Sequence, residues 1–342
     1  MNILYGVSGE GFGHSSRAKE IIQHLQKQNH QVLIITYGQA YEVLKDKFNC
    51  LKIEGIHLQF EENKLSLIKT AQQSLEAHFQ NFKDGMKIKS EIDKFNPDIC
   101  ITDYEPITAI ISFWYKLPLI SIDNQHLFTH AKIQVPQNFQ KDFLIAKHVT
   151  DICVSKANAF IIFTFANQKS KKDVFFVDPL IRTEVQKLKT KKSDYIIVYQ
   201  TKPNPQLLEI LKEIPEKFII YGYNEEDQSG NLQFKKSGPH FIHDLAHSKA
   251  VISTAGLSLL SESIFLKKPF FALPLPGQFE QTFNAIFLEH AGYGDWQESP
   301  TREKIQHFID NLHNYESNLK KYKMNPNEVF PLLDKILKRI KK

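Results

Sequence analysis

The chain of 342 residues is 42% hydrophobic and 24% charged with a net charge of +5, which excludes disordered and fibrous classes and leaves an ordinary soluble globular protein. At ~150 residues per domain the length predicts two domains. Lysines gather at Lys169–Lys192 and in the tail from Lys335, but acids and bases interleave elsewhere, so no nucleic-acid-binding face is expected.

Ile3–Val7 reads as a short buried strand with no cationic lead or cleavage site ahead of it. A glycine-rich turn follows, then a helical pattern through Ala18, Ile21, Ile22 and Leu25, then a strand at Val32–Thr36. Residues 61–95 read as a long charged helical stretch and surface excursion. Asp98–Thr102 and Leu119–Ile122, after Asn96-Pro97 and Leu117-Pro118, repeat the strand form. The apolar run Ile107–Ile122 is broken by Lys116 and Pro118 and is too short to span a bilayer. Strands alternating with helices imply βαβ units on a parallel sheet.

The pattern pauses at Val177–Arg182 and begins again. Tyr195–Tyr199, Phe218–Tyr221, Phe241–His243, Ala250–Ser253 and Pro269–Leu273 read as strands, Pro205–Leu211 and Leu257–Lys267 as helices. From Glu303 to Lys342 the chain is helical apart from Pro326 and Pro331. The expected fold is α/β: two doubly wound, Rossmann-like domains facing across a cleft. The domains are 1–178 and 179–320, followed by a C-terminal helix, 321–342, read as packing back on the first. Cys50, Cys100 and Cys153 stand far apart with no CxxC, against a disulfide framework or thiolate metal site and for a reducing cytoplasm.

Ligands of such sheets bind beyond the carboxyl ends of the strands, and the motifs lie there. Gly6–Arg17 carries several glycines, Gly11 and Gly13 among them, and presents His14 at a helix start, where the helix dipole acts on the imidazole. It is neither the dinucleotide fingerprint, whose third glycine position is His14, nor a P-loop. Val251–Ser258 is again strand, small-residue turn and helix. Free N–H groups beside Ser253, Thr254, Ala255, Gly256 and Ser258 suit a diphosphate, and Glu262, farther along that helix, suits ribose hydroxyls. Lys268–Ala285 ends a buried strand at prolines and brings Glu280, Gln281 and Asn284 onto a new helix, where carboxylate and amide groups suit sugar hydroxyls.

The series Gly256, Glu262, Pro269, Pro274, Glu280-Gln281 and Asn284-Ala285 resembles the donor-site signature of inverting GT-B glycosyltransferases, in the branch related to the MurG-type and UDP-glycosyltransferase families. Gly9–His14, Pro97-Asp98 with Thr102-Asp103, Ser121–His126 and Pro179–Arg182 extend the resemblance over nearly the whole chain. One departure is Ala255-Gly256, where the family has a Gly-Gly pair.

The resemblance implies transfer of a sugar from a nucleotide diphosphate donor, UDP-linked, to an acceptor hydroxyl with inversion, at no metal ion and with no cofactor. His14 would be the base and Asp103 would orient its imidazole; a helix N-cap is the equally weighted alternative for Asp103. The Leu257 helix would hold the leaving diphosphate, Glu262 the ribose, Glu280 and Gln281 the sugar, and Phe241 and Ile242 the base. Asp123, Asn124 and His126 are acceptor-side candidates. The acceptor itself, a glycan or lipid-linked, is not legible; apolar residues such as Phe60, Leu65, Leu67, Phe79, Phe82 and Phe128 fit core packing as well as an apolar acceptor. A cytoplasmic protein, at most peripheral at the inner membrane face, is expected. A UDP-sugar 2-epimerase of the same fold and a catalytically inactive nucleotide-sugar-binding protein are the competing readings.

Overall fold

Runs of β-branched and aromatic residues bounded by polar punctuation become the strands of two parallel sheets. The computed structural model describes residues 1–9, 11–55, 60–61, 64–65, 86, 88–165 and 168–341. They form two compact units, Met1–Leu180 with Pro326–Lys342, and Ile181–Asn325.

In the first unit the strands are β1 (Asn2–Val7), β2 (Gln31–Thr36), β3 (Cys50–Lys52), β4 (Phe60–Glu61), β5 (Lys64–Leu65), β6 (Ile99–Asp103), β7 (Leu119–Asp123), β8 (Ala159–Phe163) and β9 (Val174–Val177). Seven of them form a sheet in the order β3-β2-β1-β6-β7-β8-β9, while β4 and β5 pair as a two-residue antiparallel ladder. Every pairing in the large sheet is parallel. Helices on both faces of such a sheet bury its strands, which is why they read as unbroken apolar runs. The order reverses between β1 and β6, so Val7 and Asp103 stand side by side at the carboxyl edge.

The second unit repeats the plan. Its strands are β10 (Tyr195–Tyr199), β11 (Lys217–Tyr221), β12 (Asp227–Ser229), β13 (Leu232–Phe234), β14 (Ala250–Ser253), β15 (Phe270–Ala272) and β16 (Gly294–Trp296). They lie in the order β12-β13-β11-β10-β14-β15-β16, and only the β12–β13 pair is antiparallel. Its switch point falls between β10 and β14, with Tyr199 opposite Ser253. Ile196, Val198, Phe218, Ile220, Ile252, Phe271 and Phe308 belong to the core beneath.

Several elements differ from the sequence reading. Phe241–His247 is a helix, not a strand. Gly238-Pro239 turns the chain, and Leu245 and Ala246, three to five residues on from Phe241 and Ile242, supply the buried helical face. Glu61 and Lys64–Leu65 are strand where a helix was expected, and residues 86 and 88–95 are helical. The rest of that stretch, with Leu67, Phe79 and Phe82, lies outside the described residues. Strands β3, β8, β9, β12, β13 and β16 were not anticipated. The tail divides into helices Arg302–Asp310, Leu312–Lys321 and Val329–Ile340; Pro331 falls in the first turn of the last, where no intrahelical donor is lost.

That last helix belongs to the first unit. Its Asp334 Oδ1 lies 2.9 Å from His24 Nε2, the His24 ring stacks on Phe330, and Arg339 pairs with Asp173 at 2.8 Å. Among the described residues no helix is long and apolar enough to cross a membrane.

Candidate active site

At the carboxyl edge of the first sheet, β1 leads through Ser8 and Gly9 into the helix Phe12–Lys27. Gly11, at the helix boundary, has φ 76° and open space around it, a left-handed conformation that glycine adopts without strain. Gly9 permits a close approach instead: a Cβ there would sit 2.4 Å from the Tyr37 carbonyl oxygen. Gly13 and His14 then occupy the first helical turn.

His14 Nδ1 lies 2.7 Å from Asp103 Oδ1. With the proton on Nδ1 donated to the carboxylate, Nε2 carries the lone pair of a base. The same carboxylate is gripped by Arg17, whose Nε donates to Oδ2 at 2.8 Å and Nη2 to Oδ1 at 2.5 Å. Arg17 Nη1 donates to Asn124 Oδ1 at 3.2 Å, and the guanidinium lies over the Phe163 ring. Burial pushes the Asp103 carboxyl up, but the charges and hydrogen bonds of Arg17 and His14 outweigh it and hold it below the usual range. The Tyr5 hydroxyl, fully buried, has no hydrogen-bond partner among the described residues.

Asp103 is not the cap of the following helix. Glu105 takes that place, accepting from the Ile107 and Thr108 N–H groups at 2.9 and 2.7 Å, with Pro106 at the first helical position. Between these two acids Tyr104 holds φ 55°, and its ring runs parallel to the His14 imidazole. A left-handed tyrosine costs conformational energy, a feature that gathers at functional sites.

Asp123 and His126 form a second buried pair, each 1% exposed. Asp123 Oδ2 meets His126 Nδ1 and the Ser121 hydroxyl at 2.7 Å, and its Oδ1 accepts from the His126 N–H. His126 Nε2 reaches the Val154 carbonyl at 3.0 Å. Both side chains hold the turn after β7 and neither reaches the surface. Asn124 is joined to the first cluster through Arg17.

In the second unit, β14 ends at Ser253 and the helix Leu257–Phe265 starts with no side chain of the described residues capping it. Its first N–H groups therefore point outward unclaimed by the helix. Ala255 lies outside the left-handed region, Gly256 has φ −65°, and the Asn284 amide donates to the Ala255 carbonyl at 2.9 Å. Alanine thus fits the turn without strain, and the space open above Gly256 is left free. Thr254 is buried at this edge, while Ser258 stands half-buried on the first helical turn. Among the described residues, two polar atoms at this switch point are buried without a partner, Ser253 Oγ and Gln200 Nε2. Gln200 was missed; it is the first residue beyond β10, the position that faces a switch point.

Glu262 is buried and tied to Arg182, whose Nε and Nη2 donate to its two oxygens at 2.5 and 2.7 Å. Gln281 Oε1 accepts from the Leu275 N–H at 2.9 Å, bracing the proline-rich loop, and Glu280 lies half-buried on the same helical turn. Phe241 packs its ring edge-on against Tyr221 and tilted to Tyr199, with Ile242 half-buried beside it. Asp244 accepts from the Tyr221 hydroxyl and Lys235 Nζ at 2.5 and 2.6 Å.

Residues 1–313 match the family model described as "Glycosyl transferase family 1". An uncharacterized glycosyltransferase of Methanosarcina acetivorans is 24% identical over 337 residues, covering 86% of this chain and 85% of its own. UDP-N-acetylglucosamine--N-acetylmuramyl-(pentapeptide) pyrophosphoryl-undecaprenol N-acetylglucosamine transferase 3 of Bacillus cereus is 26% identical over 287 residues, 73% of this chain and 75% of that one. Among solved structures, LpCGTa in complex with UDP superposes with TM-score 0.67 at 14% identity, over 100% of this chain and 99% of the other. Spinosyn rhamnosyltransferase SpnG gives 0.63 at 15%, over 98% and 100%. At such identities the structures speak for the fold alone, which is GT-B.

Proposed function

Because the chain belongs to glycosyl transferase family 1 and is therefore a glycosyltransferase, we propose that it moves a sugar from a UDP-linked donor to an acceptor hydroxyl with inversion and without a metal ion. The observation that carries this reading is the His14–Asp103 contact of 2.7 Å at the carboxyl edge of β1 and β6. His14 Nε2 takes the acceptor's proton as that oxygen attacks the anomeric carbon and the bond to the diphosphate breaks. Asp103 stabilises the resulting imidazolium through Nδ1–H. The leaving diphosphate gathers negative charge, which the uncapped start of the Leu257 helix stabilises with Gln200 Nε2 and the Ser253 hydroxyl as further donors.

Glu262 receives the ribose hydroxyls. Each carboxylate oxygen has a second lone pair beyond the one given to Arg182, so that pair presents the group in a fixed orientation. Glu280 and Gln281 take the sugar, and the Tyr199–Tyr221–Phe241 ring cluster with Ile242 takes the nucleobase. The acceptor is apolar or lipid-linked in this reading, and the protein works at a membrane surface. Phe113 and Trp114, 80% and 72% exposed on the helix Pro106–Trp114, support this, as does the undecaprenol-linked acceptor named for the Bacillus relative.

The test is a panel of UDP-sugars with lipid-linked and soluble acceptors, run with and without chelator, the product's anomeric configuration read by NMR. Inverted product formed equally in chelator is expected. A retained configuration, or loss of turnover on chelation, would contradict the mechanism. Conversion of the UDP-sugar without any acceptor would favour an epimerase instead.

A further inference from the structure

We propose that Arg17 is a positioning residue that makes the base a three-membered unit: it fixes Asp103 toward His14 and sets its own positive charge against a proton on the imidazole. This rests on the reading of His14 as the base.

The geometry has two parts. Arg17 holds both oxygens of the fully buried Asp103 through Nε and Nη2, so the carboxylate cannot rotate away from His14. Its own position is fixed by Asn124 from the β7 edge and by the Phe163 ring. Arg17 lies three residues beyond His14 on one helix, which puts both on the same face. Second, Arg17 Nη2 is 3.1 Å from His14 Nδ1. Two donors meet there when Nδ1 is protonated, so Asp103 Oδ1 must accept from both. With His14 neutral, the cluster of Arg17⁺ and Asp103⁻ is balanced; when His14 takes the acceptor's proton it becomes net positive. Asp103 favours that proton and Arg17 opposes it, which moderates the base and lets it release the proton after transfer.

Other titratable groups also flank the unit. Tyr104 flanks His14 from the β6 loop, and Tyr5, from β1, is held well above its ordinary value by burial, with Asp103 adding to the effect. Asp123, from β7, acts on Arg17 electrostatically but is itself countered by His126.

The experiment follows the His14 imidazole signal in full-length protein labelled at histidine, assigned by its loss in His14→Ala, through a pH titration. Removing a cation about 3 Å away should make the His14–Asp103 pair of Arg17→Met take up its proton at higher pH than wild type. The acid limb of the transfer rate should move with it. Arg17→Lys keeps the charge but not the two-pronged grip, so it should titrate near wild type while turning over more slowly. Arg17→Gln, which keeps a donor toward Asp103, carries the same titration expectation as Arg17→Met and serves if that variant does not fold. An unshifted titration in the neutral variants overturns the proposal. Because the titration needs no turnover, a shift in a protein that transfers no sugar would contradict the proposed function while still showing that the Arg17 charge opposes a proton on His14.

Discussion

Asp103→Asn is the substitution on which most of the first unit's chemistry converges. The wild-type carboxylate is fully buried and accepts three hydrogen bonds from charged or ionisable partners, two from Arg17 and one from His14. Asparagine keeps the shape but must turn one NH₂ toward a donor, and it leaves the buried Arg17 cation without its counter-charge. Removing one partner of a buried ion pair costs about 3–5 kcal/mol; with Asn124 and Phe163 still beside Arg17, the lower end is expected, about 3 kcal/mol. Urea unfolding followed by circular dichroism measures it. Transfer should fall more steeply, by about 10²–10⁴-fold, as the imidazole loses both its orientation and the charge that stabilises its protonated form. A variant within about 0.5 kcal/mol of wild type, turning over at the wild-type rate, would refute the reasoning on both counts.

Further expectations concern other groups. Glu262→Ala should weaken UDP binding by about 10–100-fold in calorimetry, and an unchanged affinity would remove Glu262 from the donor site. Ser253→Ala deletes a buried hydroxyl that has no partner among the described residues, so the unliganded protein should melt no lower while UDP affinity falls several-fold; a lower melting temperature with unaltered affinity contradicts that reading. The Asp123–His126 pair predicts acid sensitivity. Burial raises the Asp123 carboxyl, but His126, its N–H and the Ser121 hydroxyl together hold it at about 2, below its ordinary value of 3.8. A depressed carboxyl stabilises the fold above its unfolded value and loses that contribution as pH falls through the folded one, so about 2 kcal/mol should vanish between pH 4 and 2. Asp123→Asn should flatten that part of the stability profile, and an equally steep decline would exclude the pair as its source.

Much of the scaffold was legible because parallel strands buried on both faces advertise themselves. Ile3–Val7, Tyr195–Tyr199 and Ala250–Ser253 stand between turn signals and appear within a residue of the expected bounds. Phe241–His243 misled because three residues are too few to tell a period of 2 from one of 3.6; the helix declares itself only through Leu245 and Ala246. Ala159–Phe163 is as apolar as any strand, but no glycine or proline adjoins it to mark its ends. Within the site, His14 was readable from its glycine loop, whereas its contact with a residue 89 positions away is set by β1 lying beside β6. The N-cap alternative for Asp103 overlooked Pro106, whose place at the first helical position marks Glu105 as the cap. Arg17 carried a usable signal, three residues after His14 on one helical face. The Arg182–Glu262 pair carried none, being a product of packing across 80 residues.

The account turns on the base. His14→Ala, measured side by side for sugar transfer and for UDP affinity by calorimetry, tests it most directly, because the residue lies in the first unit and the donor groups in the second. Transfer lost by about 10²-fold or more with UDP affinity near wild type is the predicted result, since the proposed donor-binding residues are left intact. Turnover at the wild-type rate would contradict it.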